Sequence, residues 1–304
     1  ADDAWLEAVR LAGEAGDHAE AGKLAAAFAD KFPKSTLGPN VVLLQARAAR
    51  NDGKPKVAVE LLEPLVDSET KPPSPALAAE LAAAVRYELA LDYRAAGRGG
   101  RADAILATLT TSADAGFLLG QSHLKAERYA EAVAEFDRYL KSAPEGQVAD
   151  HALAHLAAAY LGLGKPDDAA KALGRLAEQF PESPALPPAR LRVAESALQA
   201  GDVPKAIEQF TILAQPAAEA SKAAIPQVIR ERAELGLARA LLKKGDGAAA
   251  SAAFDAIIAR TKDEGQAAGL TLERGRALEA AGKTEEAISA FEQVETRFAA
   301  DDAA

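Results

Sequence analysis

His151 and His155 stand four residues apart, so on a helix they share one face and could reach a common metal ion. No third ligand lies nearby in the chain and no His-Glu-x-x-His pair exists, which favours a surface pair over a metal site. His123 falls in a register of packing residues, described below. Gly97-Arg-Gly-Gly-Arg101 has the glycines of a phosphate loop. It lacks the Gly-x-x-x-x-Gly-Lys-Ser/Thr spacing and a strand before it. No Gly-x-Ser-x-Gly elbow occurs. The carboxylate pairs Asp167-Asp168 and Glu285-Glu286 open helical stretches, where negative charge complements the helix dipole, so they need no acid–base role. Cysteine is absent, which removes thiolate chemistry. The chain is therefore read as non-enzymatic, with no cofactor and no metal.

The elements that must position these residues are helices. Alanine, the strongest helix former, makes up about a quarter of the 304 residues, and aromatics only 5%. The fold class expected is all-α. With 45 acidic against 35 basic side chains the net charge is −10, which disfavours nucleic acid and anionic membranes as partners. No apolar run approaches the ~20 residues that span a bilayer, so direct membrane insertion is not expected.

A repeat organises the chain. A turn residue, Gly16, Gly53, Gly97, Glu127, Gly164, Gly201, Gly245 and Gly282, recurs at intervals of 37, 44, 30, 37, 37, 44 and 37. Each departure from 37 is 7 residues, close to two helical turns, so the buried face stays in phase. Five residues after the turn stands Ala in every repeat, from Ala21 to Ala287. Nine after it come Ala25, Leu62, Leu106, Phe136, Leu173, Phe210, Phe254 and Phe291. Twelve after it the residue is again apolar, as in Phe28, Tyr139 and Val294, and seven before it Val9 is followed only by Ala or Gly. Offsets of five, nine and twelve share one helix face. Small residues on both sides of the turn let two helices approach, and the large residue then packs into the next pair. Pro33, Pro144 and Pro181 stop the second helix. Each unit is a helix–turn–helix hairpin that cannot bury its apolar face alone.

These columns, with the stretches Gly120 to Pro144, Gly164-Lys-Pro-Asp-Asp-Ala169 and Gly282-Lys-Thr-Glu-Glu-Ala287, resemble the tetratricopeptide repeat family over nearly the whole chain. The usual period, 37, is longer than the family's 34 or so, and the aromatic column of the first helix is weak. The resemblance implies one α-solenoid over 1–304, a right-handed superhelix of eight hairpins. Their expected bounds are about 3–31, 37–67, 75–110, 114–142, 148–180, 186–214, 225–260 and 265–298. It also implies protein–protein scaffolding, with first helices lining a concave groove. At the groove positions stand Tyr87 and Phe117, ten before the turn, and Arg10, Arg47, Gln121, Arg239 and Arg276, six before it. Arg50 and Arg94 stand three before it. Lys243 occupies a position used by the chaperone-tail clamp subgroup, but the matching Asn is missing, which disfavours that clamp. Such a groove, apolar rungs beside Arg, suits an acidic or amphipathic peptide, because guanidinium pairs bidentately with carboxylate. The competing reading is that these Arg pair with nearby Glu and Asp.

The endings Phe28 to Phe32-Pro33-Lys34-Ser35 and Leu176 to Phe180-Pro181-Glu182-Ser183 look like those of bacterial envelope members of the family. They suggest a periplasmic or envelope location, with the cytoplasm as alternative. The opening Ala1-Asp2-Asp3 fits a boundary left by signal cleavage or a trimmed start equally well. A glycan-binding module is the alternative function, with Trp5, Tyr87, Tyr93 and Phe117 as stacking candidates. Self-association through an uncapped end is also expected. Two Pro-bounded connections, Asp67–Pro75 and Gln215–Pro226, are read as solvated links rather than partner loops, and Ala299–Ala304 as a frayed tail.

Overall fold

Seven glycines at the repeat turns adopt positive φ, between 67° and 86°, and Glu127 takes the eighth turn at φ 57°. At these glycines the first helix ends with the next N–H bonded five residues back, for example Lys54 N–H to Ala49 carbonyl at 2.8 Å and Lys283 N–H to Leu278 carbonyl at 2.9 Å. Asp17, Asp202 and Asp246 follow three of these glycines and cap the second helix through their side chains.

The computed structural model describes residues 1–66, 77–215 and 224–298, which hold sixteen α-helices and no strand. They fall into two compact units, Ala1–Ala126 and Glu127–Ala304. Unit 1 contains α1 (Asp2–Glu14), α2 (His18–Lys31), α3 (Gly38–Asn51), α4 (Pro55–Val66), α5 (Ala79–Ala95), α6 (Gly99–Leu106) and α7 (Ala113–Lys125). Unit 2 contains α8 (Tyr129–Ser142), α9 (Ala149–Gly162), α10 (Pro166–Gln179), α11 (Leu186–Ala200) and α12 (Val203–Ala214). It continues with α13 (Gln227–Lys244), α14 (Gly247–Ile258), α15 (Glu264–Ala280) and α16 (Thr284–Phe298). Helix α5 starts at Ala79 and α6 stops at Leu106, against expected bounds of about 75 and 110; beyond α6, Thr108 turns its hydroxyl onto the Ile105 carbonyl. Asp67–Pro75, most of Gln215–Pro226 and Ala299–Ala304 lie outside the described residues.

Within each unit every helix packs on its chain neighbours, and successive first helices also touch: α1 on α3 and α3 on α5, then α9 on α11 and α11 on α13. The core is made by the columns. The Ala five after the turn is at most 3% exposed in all eight repeats. Leu62, Leu106, Phe136, Phe210 and Phe254, nine after it, are fully buried. Each such side chain contributes roughly 1.5–3 kcal/mol. The small residues are required by geometry: a Cβ on Gly275 would fall 2.4 Å from the Phe291 ring, and one on Gly236 2.4 Å from the Phe210 ring.

The Phe-Pro-x-Ser endings have a structural cause. Ser35 donates to Asp2 Oδ2 at 2.7 Å and accepts from the Leu37 N–H at 3.1 Å. Ser183 donates to Asp150 Oδ2 at 2.6 Å and accepts from the Ala185 N–H at 3.0 Å. In both, one hydroxyl ties the inter-hairpin turn to the start of the preceding first helix. At the third ending Gly146 stands in the serine position. The Tyr139 hydroxyl sits 2.4 Å from where a Cβ would be and accepts from the Val148 N–H at 3.4 Å.

Candidate functional site

Counted from the turn residue, the first helices carry a charged register that the structure resolves into a ladder. The rule is that Arg six before one turn meets Glu nine before the next. In unit 1 Arg47 on α3 donates through Nε to Glu88 Oε1 on α5 at 2.7 Å. In unit 2 Arg239 on α13 grips Glu273 on α15 with two hydrogen bonds, 2.8 and 2.6 Å. Arg50, three before its turn, adds a second rung in unit 1. It reaches Glu88 Oε2 and Asp92 Oδ1, each at 2.7 Å. Arg94 repeats that reach from α5 to α7, but finds the Leu118 carbonyl at 2.9 Å and the Ser122 hydroxyl at 3.2 Å. Gln121 accepts more loosely from Arg94 at 3.4 Å.

Electrostatics differ along the ladder. Asp92 is fully buried, and its Oδ2 has no hydrogen-bond partner among the described residues. Burial pushes its carboxyl up to about 6, against the lowering effect of Arg50. Arg239 is raised instead, by its hydrogen bonds to Glu273.

The remaining sequence-assigned residues are scattered. Arg10 pairs within its own helix, with Glu7 and Glu14. Lys243 donates to the Leu198 carbonyl on α11 at 2.9 Å. Phe117 is buried, and Tyr87 is half-buried against the unit 1 core. Arg276 is exposed, with no ion pair among the described residues. Within each unit the Arg column is thus mostly engaged in contacts of its own unit.

Open space lies elsewhere on the same helices. Four cavities each sit between successive first helices: about 280 Å³ between α1 and α3, about 590 Å³ between α5 and α7, about 260 Å³ between α9 and α11, and about 410 Å³ between α11 and α13. The largest takes in Gly97, Gly99 and Gly100, so the glycine-rich segment is a repeat turn bordering a cavity. The third takes in the two histidines. His151 is 49% exposed and lies 2.9 Å from Asp150, but His155 is not the surface residue that its spacing suggested. Its ring stacks on Phe136 at 5.5 Å. Burial, then the charges of His151 and Arg192, hold it at about 4, so it is neutral at pH 7. His123 is partly buried, with Nδ1 unpartnered among the described residues. Among the described residues no three His, Asp or Glu gather as a metal site, and no helix is long and apolar enough to cross a membrane.

Comparisons with known proteins agree with this architecture. Residues 87–147 and 123–186 match the tetratricopeptide repeat, and 164–302 match the tetratricopeptide repeat-like domain. No curated protein matches the chain by sequence. Among solved structures, the apo form of RapI aligns with a TM-score of 0.62 at 10% identity, over 97% of this chain and 86% of that one. The C-terminal part of a TPR repeat-containing protein from Cytophaga hutchinsonii aligns at 0.53 and 14% identity, over 94% and 99%. A chain of the Naa15/Naa10 complex bound to HypK aligns at 0.55 and 16% identity, over 99% of this chain and 42% of that one. The positive-φ turns, the buried small-residue columns and these matches lead to one conclusion: the chain belongs to the tetratricopeptide repeat family, whose repeats generally mediate protein–protein interaction.

Proposed function

We propose that residues 1–304 act as one non-enzymatic scaffold that holds a segment of a partner protein against its first helices. The observation that supports this is the placement of the cavities: in both units they open between successive first helices. The fully buried aromatic side chains Phe136, Tyr139, Phe210 and Phe254 stand on second helices. The glycan alternative has less support, since three of its four stacking candidates are engaged and Tyr87 is half-buried. Tyr93 and Phe117 are buried, and Trp5 packs on Phe32 with Lys31 over its ring and its N–H on the Leu24 carbonyl. The Phe-Pro-x-Ser endings are explained by their turn hydrogen bonds and support no compartment.

The test is crosslinking and capture from cells of origin with three proteins. One is unaltered. One carries Gly13→Trp and Ala154→Trp, which fill two of the cavities. One carries Val57→Trp, on an exposed second-helix position. Partners lost only in the double variant support the scaffold; partners lost only with Val57→Trp, or none captured by the unaltered protein, overturn it.

A further inference from the structure

The ladder of unit 2 has a break. Between α9 and α11 the position six before the turn holds Ala158 where Arg239 stands in its own repeat. The position nine before the next turn holds Arg192 where Glu273 stands two repeats on. The charge is inverted and its counter-charge is gone. Arg192 is exposed, and among the described residues it has no hydrogen bond or ion pair. The carboxylates of α9 and α11 are occupied. Glu195, one turn along α11, is taken by Arg232 at 2.6 Å, and Asp150 by Ser183 and His151.

Arg192 borders the cavity of about 260 Å³, whose other walls are Pro184, Pro188, Ala154, His151 and His155. Apolar walls beside one unpaired guanidinium favour a carboxylate with a small apolar neighbour. Helix α11 also walls the cavity of about 410 Å³ on its other side. A segment seated on Arg192 can therefore continue along α11, which suits a side-chain carboxylate within a segment rather than a chain end.

We infer that the pocket between α9 and α11 binds an Asp or Glu side chain of the partner segment, its carboxylate on Arg192 and its apolar neighbour against Pro184 and Pro188. This inference rests on the scaffold function proposed above and assigns that scaffold a site and a partner chemistry.

The two pocket histidines report on it directly, because the chain has only four. The probe is a pool of capped pentapeptides with Glu at the centre and Ala, Val, Leu or Pro around it. Controls are the same pool with central Gln, and an uncapped pool whose only carboxylate is terminal. The Glu pool is expected to move the ring resonances of His151 and His155 and to leave His18 and His123 unmoved. The Gln pool should bind about tenfold more weakly, as for one lost charge-assisted contact. Arg192→Gln should remove that preference while unchanged amide signals from α13 to α16 show that unit 2 keeps its fold. Equal binding of the Glu and Gln pools, binding only of the uncapped pool, unchanged binding to Arg192→Gln, or no binding at millimolar peptide would each overturn the site. Cellular partners kept by Arg192→Gln overturn this pocket alone, whereas failure of the unaltered protein to capture any partner counts against the scaffold itself.

Discussion

The same Arg–Glu register is built in both units, yet the two versions are different objects. In unit 1, Glu88 and Asp92 are buried at 7% and 0% side-chain exposure, and Arg50 between them is 20% exposed. In unit 2, Arg239 is 49% exposed over a Glu273 at 22%. A carboxylate taken from water must be paired or it costs several kcal/mol, whereas a pair left in water gains little from its geometry. The shared rung keeps its arginine at the surface in both units, Arg47 at 44% and Arg239 at 49%; Arg50, three before its turn, adds the buried rung that makes a structural rivet in unit 1 and leaves a surface clasp in unit 2. The difference comes from Arg50 on α3 and from α5, which places a second buried acid, Asp92, one turn beyond Glu88.

The sharpest way to break the comparison is to remove the arginines one at a time. Arg50→Ala leaves buried Asp92 without its counter-charge and Glu88 with Arg47 alone, and should cost unit 1 about 3–5 kcal/mol in chemical denaturation. Adding Asp92→Leu to it should recover much of that loss. A cost below about 1 kcal/mol would mean that the buried pair behaves as an exposed one.

Acid should move the units in opposite directions. Asp92 faces Arg50 and Glu88 and titrates at about 6 when folded against 3.8 as the ordinary value, so the folded state binds the extra proton. Unit 1 then gains stability as pH falls from 7 towards 4, by on the order of 1–2 kcal/mol. His155 faces His151 and Arg192 and titrates at about 4 against 6.5, so the unfolded state binds the extra proton. Unit 2 then loses a similar amount, on the order of 1–2 kcal/mol, between pH 6.5 and 4. Amide exchange in α5 and α9 at pH 7 and pH 5, corrected for intrinsic rates, reads both. Parallel changes in the two helices would remove the contrast.

The smallest effect belongs to the clasp. Arg239→Ala should cost roughly 0.2–1 kcal/mol, and that cost should shrink further in high salt. A loss as large as that of Arg50→Ala, insensitive to salt, would put the two rungs in one class.

The hairpins were legible because their columns record contacts between residues close in sequence. Ala21 and its seven equivalents are small because a neighbouring helix touches them, and no distant residue can change that. The Arg column was legible as a register but not as a set of partners. Whether Arg47 meets solvent or Glu88 depends on a residue 41 positions away, on another hairpin. Comparing positions six and nine before successive turns would have found both Arg–Glu rungs and exposed the anomaly at Arg192, which stands in a column outside the groove positions considered. The burial of His155 had no such signal, since its spacing from His151 is the same whether Phe136 lies beneath it or not.

The third ending has a consequence for descent. Where Ser35 and Ser183 bridge turn and helix, the side chains twelve after the preceding turn are Phe28 and Leu176, with no hydroxyl of their own. Where Gly146 stands, Tyr139 supplies the hydroxyl and fills the space that a serine Cβ would need. The two solutions are each complete and mutually exclusive. Neither residue can change first without a clash or an empty hydrogen-bonding place, so sequences descended from this one should inherit the two positions as a single two-letter character.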